Sequence, residues 1–514
     1  MSEPPLVERG SWANDKVPIG WCWADFDHVF VNVTSSDRKV KQEDYAKSGA
    51  YPVIDQGEDP IGGYTDDASL VQPEPPPFIV FGDHTRCVKY VTQPFVQGAD
   101  GVKVLKIAGI EPRYAMWALR TLRLPNKGYS RHYQFLRNSR FPIAPLPEQC
   151  RIVAKIEELF SELDAGVAAL VRVRANLKRY RAAVLKAAVE GRLTEEWRAR
   201  NPETEPASDL LERILAERRA TWEQDQLRKF KEAGKTPSKG WKDRYEPPMA
   251  LDEEWTPPSL PPEWIWCTVA QAAGFDDHSI TDGPFGSNLK TEHYTGFGPR
   301  VIRLQNIGDG VFVDEYAHIS ESHYEMLARH RLASGDIVIA MMGEWLPRAC
   351  PIPDAALPAI VKADCARFAC NPSLGLTAYF SIALNAKPTR DLASRRIKGV
   401  GRPRLNLTSV RSIAIPLPPP AEQIEIVAEV ERRLSVADAA EKEVEHALQR
   451  AARLRQAILK RAFEGRLVPQ DPNDEPANAL LERVRSRAGE HVAVVRNKST
   501  SLDKPARRRT RADA

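Results

Sequence analysis

Apolar residues recur along two stretches of the chain with the alternating four-and-three spacing of a helix that lies against another helix. In the first stretch Ile152, Ile156, Leu159, Leu163, Leu170, Val173, Leu177, Tyr180, Val184 and Ala187 make the seam, and Gly166 alone interrupts it. In the second, Ile426, Val430, Ala437, Ala440, Val444, Ala447, Ala451, Leu454 and Ile458 fall on equivalent positions, with Arg433 out of pattern beside Leu434. A 3.5-residue period held this long predicts coiled-coil helices, each about 65 Å long at the rise of an α-helix. Pro147 and Glu148 suit the first turn of one, and Gly191 suits its stop. Neither seam can stay in water. The two helices are therefore expected to pair antiparallel within one chain, with a variable domain at each end; a homodimeric coiled coil is the alternative.

The helices belong to a duplicated segment. Pro145-Leu-Pro-Glu-Gln149, Glu190-Gly-Arg-Leu193 and Leu210-Leu-Glu-Arg213 return as Pro416-Leu-Pro418, Glu422-Gln423, Glu464-Gly-Arg-Leu467 and Leu480-Leu-Glu-Arg483. Each copy follows a stretch of unrelated sequence, and both stretches open on Trp-x-Trp, at Trp21 to Trp23 and Trp264 to Trp266. A packing anchor explains that motif. Short apolar runs bounded by Gly, Asp and Pro, such as Pro77-Phe-Ile-Val-Phe81 and Asp336-Ile-Val-Ile-Ala340, read as strands of a small mixed sheet. The predicted class is α+β, with two globular mixed α/β heads joined by two long antiparallel coiled-coil helices and an internal pseudo-two-fold symmetry. The boundaries are head 1 at 1–146, helix 1 at 147–194, a linker with a helical segment at 195–261, head 2 at 262–420, helix 2 at 421–467, and a C-terminal helix with a basic, disordered tail at 468–514. The linker, Pro-rich around one helical island from Leu210 to Lys231, reads as structured but loosely attached.

Composition adds less than distribution. The chain has 514 residues, 42% hydrophobic and 28% charged, which is ordinary for globular protein and too long for one core. No apolar run is long enough for a membrane span, and Met1-Ser-Glu-Pro-Pro lacks the parts of a signal peptide. Seven cysteines without a C-x-x-C read as reduced thiols, so a cytoplasmic setting with no metal site is expected. Net charge is +4, but it is uneven. Residues 101–141 hold Lys103, Lys106, Arg113, Arg120, Arg123, Lys127, Arg131, Arg137 and Arg140 against Glu111 alone. Lys387, Arg390, Arg395, Arg396, Lys398, Arg402, Arg404 and Arg411 face only Asp391. A solvated helix face would also produce one such run. Two at matching positions before the repeats favour phosphate binding.

The tools of catalysis are missing from the sequence. There is no G-x-x-x-x-G-K-[ST] loop for ATP and no G-x-G-x-x-G after a predicted strand. The Asn/Asp-Pro-Pro-aromatic tetrapeptide of an amino-methyltransferase is also lacking, since Asn371-Pro372-Ser373 fails at its third position. Asp83-His84-Thr85 has one His and no second cluster of ligands nearby, so a polar turn that orders a loop or contacts DNA accounts for it better than an acid/base or metal site.

The repeated helix, with its Pro-Leu-Pro…Glu-Gln start and Glu-Gly-Arg-Leu end, resembles the conserved regions of the specificity (S) subunit of type I restriction–modification systems. Head 1 resembles one class of target recognition domain through Tyr51-Pro-Val-Ile-Asp-Gln-Gly57, Phe81-Gly-Asp-His-Thr85, Gly98-Ala-Asp-Gly-Val-Lys103 and Asn126-Lys-Gly-Tyr-Ser-Arg-His-Tyr133. Head 2 resembles another through Gly283-Pro-Phe-Gly-Ser-Asn-Leu-Lys290, Val301-Ile-Arg-Leu-Gln-Asn306 and Gly401-Arg-Pro-Arg-Leu-Asn406. The resemblance covers about residues 15–195 and 260–485. It implies a non-catalytic subunit that binds double-stranded DNA, each head reading half of a bipartite asymmetric target. It also implies helices that dock two methyltransferase (M) subunits, with restriction (R) subunits joining. S-adenosylmethionine, ATP and Mg would belong to those partners. A specificity subunit of a related type II system, or a coiled-coil scaffold with two protein-binding heads, are the alternatives.

Donor-rich segments supply the contact candidates. Lys127, Tyr129, Ser130, Arg131 and His132 precede the first Glu-Gln, and Lys398, Arg402, Arg404 and Asn406 precede the second at almost the same offset. Ser287, Asn288, Lys290, Arg303, Gln305 and Asn306 add to head 2, and His84 and Thr85 to head 1. Arg and Lys pair with guanine in the major groove, Asn and Gln with adenine, and all of them can hold phosphate instead. Capping or turn roles are the competing explanation for each.

Overall fold

The computed structural model describes residues 16–99, 101–122, 124–125, 131–252, 254–397 and 403–486. The chain divides into two compact units, one made of residues 1–171 and 445–514, the other of residues 172–444. Head 1 runs through β1 (Cys22–Asp25), α1 (Phe26–Val29), β2 (Phe30–Asn32), β3 (Lys39–Val40), β4 (Tyr51–Ile54), β5 (Gly63–Thr65), β6 (Phe78–Gly82), β7 (Val88–Val91), β8 (Val96–Gly98), β9 (Val102–Ile107), α2 (Pro112–Thr121), α3 (Tyr133–Arg137) and β10 (Arg140–Ile143). Then come the long helix α4 (Leu146–Val189), α5 (Glu195–Arg200) and α6 (Ala207–Glu232). Head 2 holds β11 (Ile265–Thr268), α7 (Val269–Ala272), β12 (Ile280–Asp282), β13 (Tyr294–Ile302), β14 (His318–Ile319), α8 (Glu321–Met326), β15 (Arg331–Leu332), β16 (Ile337–Ala340), β17 (Arg348–Pro351), β18 (Ala359–Val361), β19 (Cys365–Phe368), α9 (Thr377–Asn385), α10 (Lys387–Ser394), α11 (Leu407–Arg411) and β20 (Ala414–Leu417). The second long helix, α12, spans Pro420–Phe463.

The two heads share a fold that their sequences do not display. Instead of one small sheet, each has two four-stranded sheets and a two-stranded ribbon. One sheet runs β2-β9-β6-β7 in head 1 and β12-β19-β16-β17 in head 2, antiparallel throughout. The other runs β3-β8-β4-β5 and β15-β18-β13-β14, with β4 parallel to β8 and β13 parallel to β18. Only its edge differs, since β3 lies parallel to its neighbour and β15 antiparallel. Strands β6 and β16 are interior and buried along their length, which explains why both read as unbroken apolar runs. The ribbons β1-β10 and β11-β20 lead into α4 and α12.

Each unit joins its head to the start of one long helix and the end of the other. The Glu-Gln pair at each helix start does the joining. In the first unit the Trp21 indole donates to Glu148 at 2.9 Å, and in the second the Trp264 indole donates to Glu422 at 2.7 Å. Gln149 accepts from the Glu111 amide (2.9 Å) and donates to the Ala144 carbonyl (2.8 Å). Gln423 likewise accepts from Leu376 (3.0 Å) and donates to Leu374 and Pro418 (both 2.9 Å). Tyr114 and Tyr379, both fully buried, donate to the carbonyls of Pro142 and Pro416.

The other repeat copy closes each frame. Gly191 and Gly465 stop the long helices in left-handed conformations (φ +71° and +67°), where a side chain would be strained. In the first unit the Ala477 amide then donates to Gly20 (2.8 Å), Arg151 pairs with Asp474 (2.7 Å), and Leu480 and Leu481 enter the core with Ile152, Ile156 and Phe463. In the second the Ala207 amide donates to Glu263 (2.8 Å), and Leu210, Leu211 and Ile214 enter the core with Trp264 and Ile426. The start of α6 is thus core structure, not loose linker, because its apolar face fills the same place that helical residues 477–486 fill in the first unit. The basic tail beyond 486 lies outside the described residues.

Both units show the long helices packed antiparallel. Asp164 pairs with Arg455, whose guanidinium also covers the Phe160 ring, while Arg181 pairs with Asp438 (2.5 Å) and Glu441 (2.7 Å). The expectation that the seams hide completely is corrected. Ile152, Ile156, Val184, Ile426, Val430 and Ile458 are buried near the helix ends, but Gly166, Val173, Tyr180 and Leu454 are exposed. The second seam is mostly alanine in its middle, so one partner helix supplies too little side chain to cover the first. In the first unit this leaves an apolar groove of about 750 Å³ between Leu159, Leu163, Leu170, Ala447, Ala451 and Leu454. No helix among the described residues is long and apolar enough to cross a membrane.

The two frames differ at one buried oxygen. Glu422 Oε1 accepts from Thr194 (2.6 Å) and Arg198 (2.5 Å), whereas Glu148 Oε1 is buried with no hydrogen-bond partner among the described residues. Val468, at the position matching Thr194, has no hydroxyl to offer. Burial raises the Glu148 carboxyl above its ordinary value, against the opposing pull of Trp21 and Arg151. Its contribution to stability is therefore full below the unfolded carboxylate pKa and is lost as pH rises through the raised folded value. Glu422→Gln should destabilise the second unit by about 3 kcal/mol, since it leaves Arg198 half of a broken pair. Glu148→Gln should cost less than about 1 kcal/mol where the carboxyl is protonated and should flatten the decline of stability as pH rises above the ordinary carboxylate range. Thermal unfolding of the full chain across a pH series measures this; equal losses for the two variants would contradict it.

Candidate nucleic-acid interface

In the antiparallel sheet of head 1, the strand directions bring the end of β2, the start of β9 and the end of β6 to one edge. The described parts of the motifs quoted for head 1 converge there. The Asp83 amide donates to the Gly101 carbonyl (2.6 Å), and the Asp83 carbonyl accepts from the His132 amide (2.8 Å) and lies 2.9 Å from its Nδ1. The Asp83 carboxylate accepts from the Tyr133 amide at 2.7 Å. Gln56, after β4, accepts from the His84 amide with its side chain (3.3 Å) and from the Thr85 hydroxyl with its carbonyl (2.5 Å). Lys89 lies 3.1 Å from Asp55 beside this loop. Asp83 thus orders the turn and ties down the segment that leads out of residues 126–130.

Head 2 repeats the arrangement with other side chains. The Met341 amide donates to the Asp364 carbonyl (2.8 Å), and its carbonyl accepts from the Leu405 amide (2.8 Å). Gly101 and Asp364 take the same left-handed turn, at φ +80° and +71°. Strand pairing therefore equates Asp83 with Met341 and Arg131 with Arg404. Arg404 is half-exposed and pairs with Asp364 at 2.8 Å. Gly283 packs so tightly on the Lys362–Ala363 backbone that a Cβ would lie 2.0 Å from the Lys362 carbonyl carbon. Lys362 in turn donates its amide to Ile302, just before Arg303 (2.9 Å). The loops carrying 283–290, 303–306 and 403–406 thus meet around one turn.

Several candidates are spent within the protein. Asn306 is fully buried; its amide donates to Val313 (2.9 Å) and Glu315 (2.8 Å) and its oxygen accepts from Arg303 N (2.9 Å). It staples the 307–315 loop and cannot reach a base. His132 is buried as well, held by its contact with the Asp83 carbonyl. Asn406 caps α11 by accepting from Ser409 N at 2.7 Å. Arg303 donates to Tyr316 O (3.2 Å), and with its amide turned to suit, Gln305 accepts from Arg303 at 3.0 Å. Ser287, Asn288, Lys290, Gln305, Thr85 and Arg131 are exposed, and Lys290 lies 3.5 Å from Glu292. His84 is half-buried. Lys127, Tyr129, Ser130, Lys398 and Arg402 lie outside the described residues.

The basic stripes are not continuous phosphate tracks, because most of their charges are paired or hydrogen-bonded inside the protein. Lys106 meets Glu74, Arg113 Glu157, Arg137 Asp27 and Arg140 Asp25. Lys387 meets Asp391 and Arg390 meets Asp309. Arg120 and Arg411 donate to the carbonyls of Val88 and Ile280. Among the described residues Arg131, Arg395 and Arg396 have no such side-chain partner.

The comparisons with known proteins agree with this architecture. The specificity subunit of the type I restriction enzyme EcoDI of Escherichia coli is 25% identical over 493 residues, covering 92% of this chain and 96% of its own. This chain is a homologue of type I restriction enzyme specificity subunits. The EcoKI specificity subunit of Escherichia coli strain K12 is 24% identical over 368 residues, 67% of this chain and 63% of that one. A chain solved in work on the assembly and conformational transition of a type I restriction–modification system matches with a TM-score of 0.56 at 15% identity, over 88% of this chain and all of that one. No family model matches the chain.

Read as a specificity-subunit homologue, the protein has edge residues that the sequence reasoning passed over: Gln56, Lys362, Asp364, Glu344 and Trp345. Gly82 and Gly101, close to the Gln56 side chain, marked the first of these. Asp364 carries no local signal, since nothing nearby foretells a left-handed turn at an Asp. Asn306→Ala should lower stability by about 2 kcal/mol through the loss of three buried hydrogen bonds. Ser287→Ala and Lys290→Ala, on the exposed loop, should change it by less than about 0.5 kcal/mol. Denaturant titration of the full chain distinguishes them, and a neutral Asn306→Ala would return that residue to the list of DNA contacts.

Proposed function

We propose that this chain is the DNA-reading specificity subunit of a type I restriction–modification complex and does no chemistry itself. Each head reads one half of a bipartite, asymmetric target in double-stranded DNA. The long helices set the unread interval between the halves and dock two M subunits, and R subunits complete the assembly. S-adenosylmethionine, ATP and Mg belong to those partners. The observation that carries the reading is that two heads of one topology gather their dissimilar, polar motifs at the same sheet edge. A common scaffold with different edges is what two half-sites of different sequence require. The incompletely covered seams support helix docking, since Val173, Tyr180 and Val436 leave apolar surface on helices whose ends are already satisfied.

Binding of the purified chain to duplex DNA should weaken steeply with salt, and the chain alone should neither methylate nor cleave it. Arg131→Ala and Arg404→Ala should each weaken binding about 5- to 150-fold, corresponding to about 1–3 kcal/mol, if they contact bases. If they hold phosphates, each should reduce the salt slope by about one. Fluorescence anisotropy across a salt series measures both effects. Methylation by the isolated chain, or unaltered binding by both variants, would refute the assignment.

A further inference from the structure

The turn that follows β16 presents a feature its counterpart in head 1 lacks. Head 1 turns through Asp83–Arg86, whereas head 2 takes a longer path through residues 341–347 and places Glu344-Trp345 at its tip. Trp345 is 71% exposed, and neither side chain has a partner among the described residues. Phe285, 50% exposed, projects from the neighbouring loop after β12. Both loops flank the Lys362–Asp364 turn that holds Arg404.

The tip is exposed, but its base is fixed. Met341 and Leu346 are buried on either side of it. The Met341 amide and carbonyl are both hydrogen-bonded, Gly343 N donates to Pro403 at 3.2 Å, and the Pro347 carbonyl accepts from Arg390 at 2.9 Å. Gly343 has φ +139°, a conformation a side chain would resist, and it starts the tip. A tryptophan held out on such a pedestal is preorganised for a partner. Glu344 beside it decides what kind. A carboxylate repels phosphate, so this tip does not serve the backbone, while it can accept from a cytosine amino group at a base edge. Arg404, bridged to Met342 at the base of the tip, carries a charge that suits the backbone beside it.

We infer that Trp345 is a specificity-determining residue of head 2 that reads a thymine through its 5-methyl group, with Glu344 accepting from an adjoining base. The inference rests on the DNA-reading function proposed above and extends it: head 2 reads partly by apolar contact, and head 1, whose matching turn is polar, by hydrogen bonds. Selection of binding sequences from a random duplex pool by the full-length chain tests both levels. Failure of the wild-type chain to select any split motif would overturn the DNA-reading function itself. Given a motif, Trp345→Ala should relax one or two adjacent positions in one half only, including a T·A pair, and leave the thermal midpoint unchanged. Arg131→Ala should alter the other half. Uracil in place of that thymine should weaken wild-type binding about fourfold, the worth of one methyl group, and leave Trp345→Ala binding unaffected. An unchanged motif in Trp345→Ala, or equal sensitivity of both proteins to uracil, overturns the inference.

Discussion

Everything in this protein hangs on a buried carboxylate that begins a long helix. Glu148 and Glu422 each take an indole from the tryptophan just before the first strand of a head, and the glutamine beside each clamps the head's own backbone. A head is thereby bolted to a helix by polar contacts in a dry setting, where an unmade bond is costly and a made one is directional. Apolar packing alone would hold a head in place but would tolerate rotation. The Glu-Gln pair fixes its orientation, so the polar sheet edge has a defined bearing on the helix.

That attachment explains how the heads can differ so widely. The parts that meet the frame are nearly identical in the two units: the ribbon, the buried tyrosine, the tryptophan and the glutamine clamp. Strand order is shared as well, except at one sheet edge. Side chains at the polar sheet edge face no such requirement. Asp83 and Met341 occupy one position, and both do their work through the main chain. The backbone keeps the edge in place while its chemistry varies.

Much of this was legible before the structure, and the reasons for the rest are physical. The 3.5-residue seam identified α4 and α12, and the apolar runs at β6 and β16 marked strands. Coverage of the seam was misjudged because periodicity reports which face is apolar, not how much side chain the partner brings; alanines count as apolar but fill little. The basic stripes were visible as composition, yet their charges are consumed by acids far away in sequence, as Arg137 is by Asp27 and Arg390 by Asp309. Asn306 looked like a base reader because Asn can pair with adenine and it stands with Arg303 and Gln305 in a segment that resembles a target recognition domain. Its burial comes from residues 313–315 folding back over it, a tertiary fact.

The exchange of repeat ends between the two frames has a consequence for assembly. The second unit is one uninterrupted stretch of chain, so every contact it needs exists once residue 444 has been made. The first unit is built from both flanks of that stretch, and its core waits for Ile458, Phe463, Leu480 and Leu481. During synthesis head 2 can therefore mature while head 1, made first, still lacks its floor. Closing the first unit joins segments roughly 300 residues apart, but a folded insert between them shortens the entropic reach to the distance between its two ends. Folding of the later-made unit thus lowers the chain-entropy cost of closing the earlier one.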